Sequence, residues 1–119
     1  MNLTGQWQFF EQFDAGFDMG HAVFKQSGTL ISGTLIYTEY IYEEASFLIE
    51  VEIEGEVLDD RLMFVGKSYE ILDSPFEIEY CLDERIAELL DPDRIEGHSV
   101  DDQDLEGRFI LRRLESSLS

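Results

Sequence analysis

The sequence predicts an all-β chain that closes into an eight-stranded antiparallel up-and-down barrel. Three observations carry this. Apolar and polar residues alternate with a period of two, turn signals divide the alternating runs at short and fairly even intervals, and glycine recurs about once per strand. Helical periodicity is nearly absent. The 119 residues form one domain, 1–119, long enough to bury a core without staples.

Strands are predicted at 5–13, 20–27, 29–41, 46–57, 61–72, 76–82, 94–100 and 105–114. The fourth is the plainest. Phe47, Ile49, Val51 and Ile53 share one face, while Glu50, Glu52 and Glu54 share the other, so one side is dry and one wet. Residues 76–82 repeat the pattern, with Phe76, Ile78, Tyr80 and Leu82 set against Glu77, Glu79 and Cys81. Gln26-Ser27-Gly28-Thr29 and Leu58-Asp59-Asp60-Arg61 read as tight hairpins, and Asp73-Ser74-Pro75 and Asp101-Asp102-Gln103-Asp104 as further breaks. Short turns make consecutive strands antiparallel neighbours, and eight such strands can close, which removes exposed sheet edges.

One stretch has two readings. Residues 83–91 form either a short helix, with Asp83 as N-cap and Ile86, Leu89 and Leu90 facing the core, or an extended segment turning at Asp91-Pro92-Asp93. The Asp-Pro-Asp just ahead of another strand pattern favours the extended form. An apolar–any–glycine pattern recurs as Leu3-Thr4-Gly5, Ile31-Ser32-Gly33, Ile53-Glu54-Gly55, Phe64-Val65-Gly66, Ile95-Glu96-Gly97 and Leu105-Glu106-Gly107. Glycine inside strands suits the strong coiling of a small barrel. A phosphate-cradling role needs a strand-to-helix junction that the pattern lacks.

Twenty-seven acids against eight bases give a net charge of −19. That field repels phosphate backbones and anionic lipid, so neither nucleic acid nor membrane is an expected partner. The acids are spread along strands instead of gathered in a tail, as a solubilising face would be. Cys81 is the single cysteine, which excludes an intrachain disulfide or a cysteine-based zinc site. The N-terminal residues carry no basic and apolar leader pattern, and the expected location is cytoplasmic. Oligomeric state is not legible.

The Gly5-Gln6-Trp7 of the first strand resembles the Gly-x-Trp signature of the calycin group, which comprises lipocalins, fatty-acid-binding proteins and avidin-like barrels. In that group a basic residue of the last strand packs over the first-strand tryptophan and closes the barrel. The resemblance implies that role for Arg112 or Arg113, in Phe109-Ile110-Leu111-Arg112-Arg113-Leu114. The glycine-containing strands are similar to those of avidin-like and small bacterial lipocalin-like barrels. Two departures bear on ligands. Trp7 is the only tryptophan, and Phe9 stands near where an avidin-like barrel places a biotin-binding asparagine, so biotin is not the expected ligand.

No nucleophile elbow, paired acid–base set or metal-ligand spacing can be named, and the expectation is a non-enzyme without cofactor or metal. His21 and His98 stand far apart, Asp101–Asp104 reads as a turn before it reads as a calcium loop, and Cys81 as a small half-buried residue. More informative are charges on apolar registers. Glu11 lies in the row of Trp7, Phe9 and Phe13, Lys67 between Val65 and Tyr69, and Arg113 in the row of Phe109 and Leu111. A charge facing a barrel interior needs a partner or a ligand, unless a bulge returns it to solvent. The candidate function is binding of a small apolar or aromatic molecule in the barrel mouth. Trp7, Tyr37, Tyr69 and Tyr80 are the candidate walls, Glu11 and Lys67 the polar contacts, and Phe17 and Met19 in the 14–20 loop a candidate lid. The competing expectation is a packed interior with an acidic outer face for a basic partner.

Overall fold

The computed structural model describes residues 2–101 and 103–114. It is a closed barrel of eight antiparallel strands: β1 (Gly5–Phe13), β2 (Gly16–Ser27), β3 (Leu30–Ile41), β4 (Phe47–Leu58), β5 (Arg61–Asp73), β6 (Asp83–Asp91), β7 (Arg94–Asp101) and β8 (Glu106–Arg113). Each strand pairs with its neighbours in sequence, and β8 closes onto β1 from Trp7↔Arg113 to Phe13↔Gly107. The turn at Gly28-Thr29 places Gly28 at φ +62°, and the turn at Asp59-Asp60 places Asp59 at φ 56°. Both are left-handed positions, where glycine and aspartate are the tolerant residues.

Side chains from all eight strands meet in one core. The end at which β1 begins is dry and closed. Leu3, Trp7, Ile95 and Leu111 are fully buried there, and the Trp7 indole N–H donates to the Leu3 carbonyl at 3.0 Å. Arg113 lies over the indole, its guanidinium carbon 4.4 Å from the ring centroid. Its N–H groups donate to the carbonyls of Pro92 (3.1 Å), Thr4 (3.2 Å) and Asn2 (2.9 Å), and Asp93 lies 3.3 Å away. One side chain thus ties the N-terminal segment, the β6–β7 turn and β8 together. Arg112 is one residue away and therefore on the outer face, exposed, where it does not reach the tryptophan. Arg113→Ala is expected to cost about 1–2 kcal/mol from the lost cation–π contact and orphaned carbonyls. It should also shift Trp7 fluorescence to the red; an unshifted spectrum with unchanged stability would contradict the clamp.

Three segments differ from expectation. Residues 83–91 are strand β6, so the helical alternative falls; Leu90, assigned to the core in that alternative, has a side chain outside the description. Strand β2 starts at Gly16 instead of residue 20, because a tight turn at Asp14-Ala15 lets the ladder run from Phe13↔Gly16. Phe17 and Met19 therefore stand on the outer wall and not on a lid, with Phe17 stacked on Phe10 and Tyr40 at 5.9 and 4.9 Å. Residues 76–82, expected as a strand, join no ladder. Pro75 has no N–H, and the Ser74 hydroxyl accepts from the Phe76 N–H at 3.2 Å and donates to the Phe76 carbonyl at 2.6 Å, which turns the chain off β5. The alternation survives without the ladder, since Ile78, Tyr80 and Leu82 still pack onto the core.

The consequence is a gap in the wall. β5 pairs with β4 along its length but with β6 only from Arg61↔Glu88 to Val65↔Glu84. Residues 74–82 run as a strap across the end of the barrel that the gap opens. The strap, the β1–β2 and β3–β4 turns and the β7–β8 loop all belong to this end, opposite Trp7; Asp102 of that last loop lies outside the described residues.

Candidate functional site

The strap end holds the interior's charges. Glu11 (β1), Asp18 (β2) and Arg85 (β6) are 1–2% exposed, and all three fall in inward rows: Glu11 with Trp7 and Phe9, Asp18 with Ala22 and Phe24, Arg85 with Ala87 and Leu89. Arg85 is the hub. Its Nε and Nη2 donate to the two Glu11 oxygens at 2.9 and 3.1 Å, and Nη2 donates to Asp83 at 3.0 Å. The guanidinium also lies 5.3 Å from the Phe9 ring centroid and 5.8 Å from that of Phe64. A planar fork meeting a carboxylate in parallel, between two aromatic rings, is a geometry that lysine cannot supply.

Asp18 is different. The ladders place it directly opposite Glu11 on β1 and Glu39 on β3, so three carboxyls sit side by side across three strands. Neither Asp18 oxygen has a hydrogen-bond partner while both acids are ionised; once protonated, Asp18 can share its proton with the Glu39 carboxyl beside it. Burial first, and then the Glu39 charge, push its carboxyl up to about 10. Burial raises Glu39 too, and raises Asp83 to about 7 against the opposing pull of Arg85. At neutral pH, Asp18 is therefore protonated, as two adjacent carboxyls in a dry site require.

An aromatic cluster adjoins these charges. The strap delivers Tyr80 into it: the Tyr80 ring lies 6.2 Å from Phe47, 6.4 Å from Tyr37 and 5.7 Å from Tyr69. Its hydroxyl is hydrogen-bonded to that of Tyr37, and its backbone N–H donates to the Tyr69 hydroxyl at 3.2 Å. Gly20 makes room beside them. It stands between Phe9 and Tyr37 in register, a Cβ there would fall 2.0 Å from the Ile36 carbonyl oxygen, and the Phe9 and Tyr37 rings meet at 5.3 Å. Burial also holds both Tyr37 and Tyr80 hydroxyls well above the usual tyrosine range, so both stay neutral.

The structure thus brings Glu11, Tyr37, Tyr69 and Tyr80 to one end of the barrel. Trp7 is at the other end and is no wall of this site. Lys67 is outside the barrel altogether, its side chain 53% exposed and 3.9 Å from Glu54. The reason is a β-bulge: Ile53 pairs with Gly66 and Glu52 with Ser68, leaving Lys67 as the unpaired extra residue. A second register shift leaves Leu72 unpaired in the same way.

Other candidates do not converge. His21 and His98 are exposed, and among the described residues no group of three His, Cys, Asp or Glu side chains is placed to hold a metal. Asp101 is a turn residue, its carboxylate accepting from the Gln103 and Leu105 N–H groups at 2.9 and 3.0 Å. A cleft of about 940 Å³ lies along the outer wall beside Gln12, His98 and Arg108. A second, of about 710 Å³, opens between the end of β5 and the strap, lined by Ile71, Phe76 and Ile78 among others. It is the concavity that borders the gap.

No family model matches the sequence, and no curated protein matches it. Solved structures do match in fold. A redesigned β-barrel, mFAP1, bound to DFHBI is similar over 93% of this chain and 94% of its own, with 15% identity and a TM-score of 0.65. A de novo designed fluorescence-activating β-barrel is similar over 95% of this chain and 94% of its own, with 16% identity and a TM-score of 0.64. EF1p2_mFAP2b, bound to DFHBI, is 12% identical over 94% of each chain, with a TM-score of 0.66. At such identities the likeness is one of fold: an eight-stranded antiparallel barrel.

Proposed function

We propose that this protein is a binding protein and not an enzyme, and that it takes a small aromatic molecule in the strap end of the barrel, in the place held by the Tyr80 ring. The observation that carries the reading is how Tyr80 is held. An aromatic ring enters the interior from a segment outside the ladder, and its neighbours are the rings of Tyr37, Phe47 and Tyr69. Tyr80 is thus an intramolecular occupant of a ring-shaped site, and removing it takes no strand out of the barrel. A cleft lies beside the strap, between residues 71–74 and 76–79, next to the segment that carries Tyr80. Barrels of the same fold bound to DFHBI support the reading, as does the Trp7–Arg113 stack, which fits a calycin-like closure of the opposite end.

A site that must first expel its own tyrosine binds weakly in proportion to the open fraction. Tyr80→Ala is therefore expected to strengthen binding of p-cresol or DFHBI, measured by titration calorimetry, by about tenfold or more. Equal and negligible heats for both proteins would overturn the reading. They would favour the packed interior with an acidic outer face, where Glu52 and Glu54 are exposed on β4.

A further inference from the structure

The site's charges specify more than an aromatic ring. We propose that the ligand carries a cationic nitrogen, a primary ammonium or an amidinium, which Asp18 and Glu39 hold between them; this rests on the binding reading above. Four carboxyl side chains, Glu11, Asp18, Glu39 and Asp83, gather at the strap end around one guanidinium. Arg85 is already committed, to both oxygens of Glu11 and to Asp83. An anionic ligand would have to break that fork and then face the remaining acids. A cation meets the opposite situation, because Asp18 is 1% exposed and neither of its oxygens accepts from a donor of the chain. Buried carboxyls are nearly always satisfied by donors of the chain; here only a proton shared with Glu39 meets Asp18, and a cation can replace it.

The groups facing Asp18 define the exchange that binding performs. Glu11 lies opposite on β1 and Glu39 on β3, Arg85 comes from β6 with Asp83 bound to its Nη2, and the Tyr37 and Tyr80 hydroxyls lie alongside. Without ligand, a proton neutralises Asp18. An incoming cation takes over that neutralisation, donates N–H bonds to the carboxylates, and the Asp18 proton leaves to solvent. Binding therefore releases about one proton per ligand near neutral pH. The ligand's ring replaces Tyr80 against Tyr37, Phe47 and Tyr69, and its charge reaches the carboxyl row behind them.

Three probes with the same ring decide the matter: tyramine (cationic), p-cresol (neutral) and 4-hydroxyphenylacetate (anionic). Titration calorimetry at pH 7.5 or so, in phosphate and in Tris, measures affinity and protons released. Tyramine is expected to bind about tenfold more tightly than p-cresol, with the acid weakest, and with about one proton released. Asp18→Asn should abolish both the tyramine preference and the proton release while leaving p-cresol binding. Glu39→Gln, at a half-buried position, should weaken the preference without touching the ring site. Tyramine binding no tighter than p-cresol, or without proton release, overturns the proposal while the aromatic site stands. Binding of none of the three, even to the Tyr80→Ala protein, overturns the site itself.

Discussion

Arg85→Met is expected to destabilise the protein by about 3–5 kcal/mol, as breaking one partner of a buried ion pair does. The arginine is 1% exposed and Glu11 2%, so truncation strands a carboxylate in a dry interior, with Asp83 losing the same donor. The rings of Phe9 and Phe64 lose their cation as well. The penalty arises mainly from the uncompensated charge, so it should be recoverable. Glu11→Gln in the Arg85→Met background is expected to restore about half or more of the loss, because a neutral amide costs far less to bury. Urea unfolding of the four proteins in the cycle measures the coupling. A single-variant loss below about 1 kcal/mol, or a double variant no better than the single, would mean that Glu11 finds water or another donor and that this end of the barrel is wetter than its burial indicates.

The fold was legible because period-two alternation reports which way a side chain faces, and a barrel imposes that period on every strand. The same fact explains the error at 76–82. Ile78, Tyr80 and Leu82 do face the core, but from a strap without ladder bonds, and alternation is blind to hydrogen bonding. Lys67 failed for a related reason. Val65, Lys67 and Tyr69 look like one row, and only the extra residue opposite Glu52 and Ile53, a matter of pairing between strands, breaks it. Glu11 was visible because its row is uniformly apolar. Asp18 is hidden because residues 14–20 read as a loop; only with the ladder carried back to Gly16 do Asp18, Ala22 and Phe24 form one inward row. Arg85 lay in a stretch where Ile86 and Leu90 compete with Ala87 and Leu89 for the inner face, and period alone does not choose between them. What sequence could not supply is that residues 11, 18, 39, 83 and 85, drawn from four strands, arrive at one level. That follows from closure and register, not from any local pattern.

Asp18→Asn is expected to stabilise the protein at neutral pH, by about 2–4 kcal/mol, which is unusual for a buried substitution. The carboxyl sits at about 10 in the folded chain against an ordinary value of 3.8, so folding takes up a proton that the unfolded chain has released. For an acid with a raised folded value, the stabilisation is complete below the unfolded value and is lost as pH climbs from about 4 toward 10. Glu39, raised by burial, and Asp83, raised to about 7, act in the same direction. The melting temperature of the unsubstituted protein should therefore rise as pH falls from 8 to about 5, the reverse of a chain whose acids are held by salt bridges. Relief of repulsion among the outer acids adds to that slope, since the net charge is −19. The variant separates the two contributions. Asparagine keeps the shape and removes the titration, so its melting temperature should exceed that of the parent at pH 8, and the difference should close by pH 4 or so. A variant no more stable at pH 8, or parallel to its parent across the whole range, would show that Asp18 ionises freely inside the barrel. The row Glu11–Asp18–Glu39 would then be solvated, and the open acceptors that single out a cation would already be bound to water.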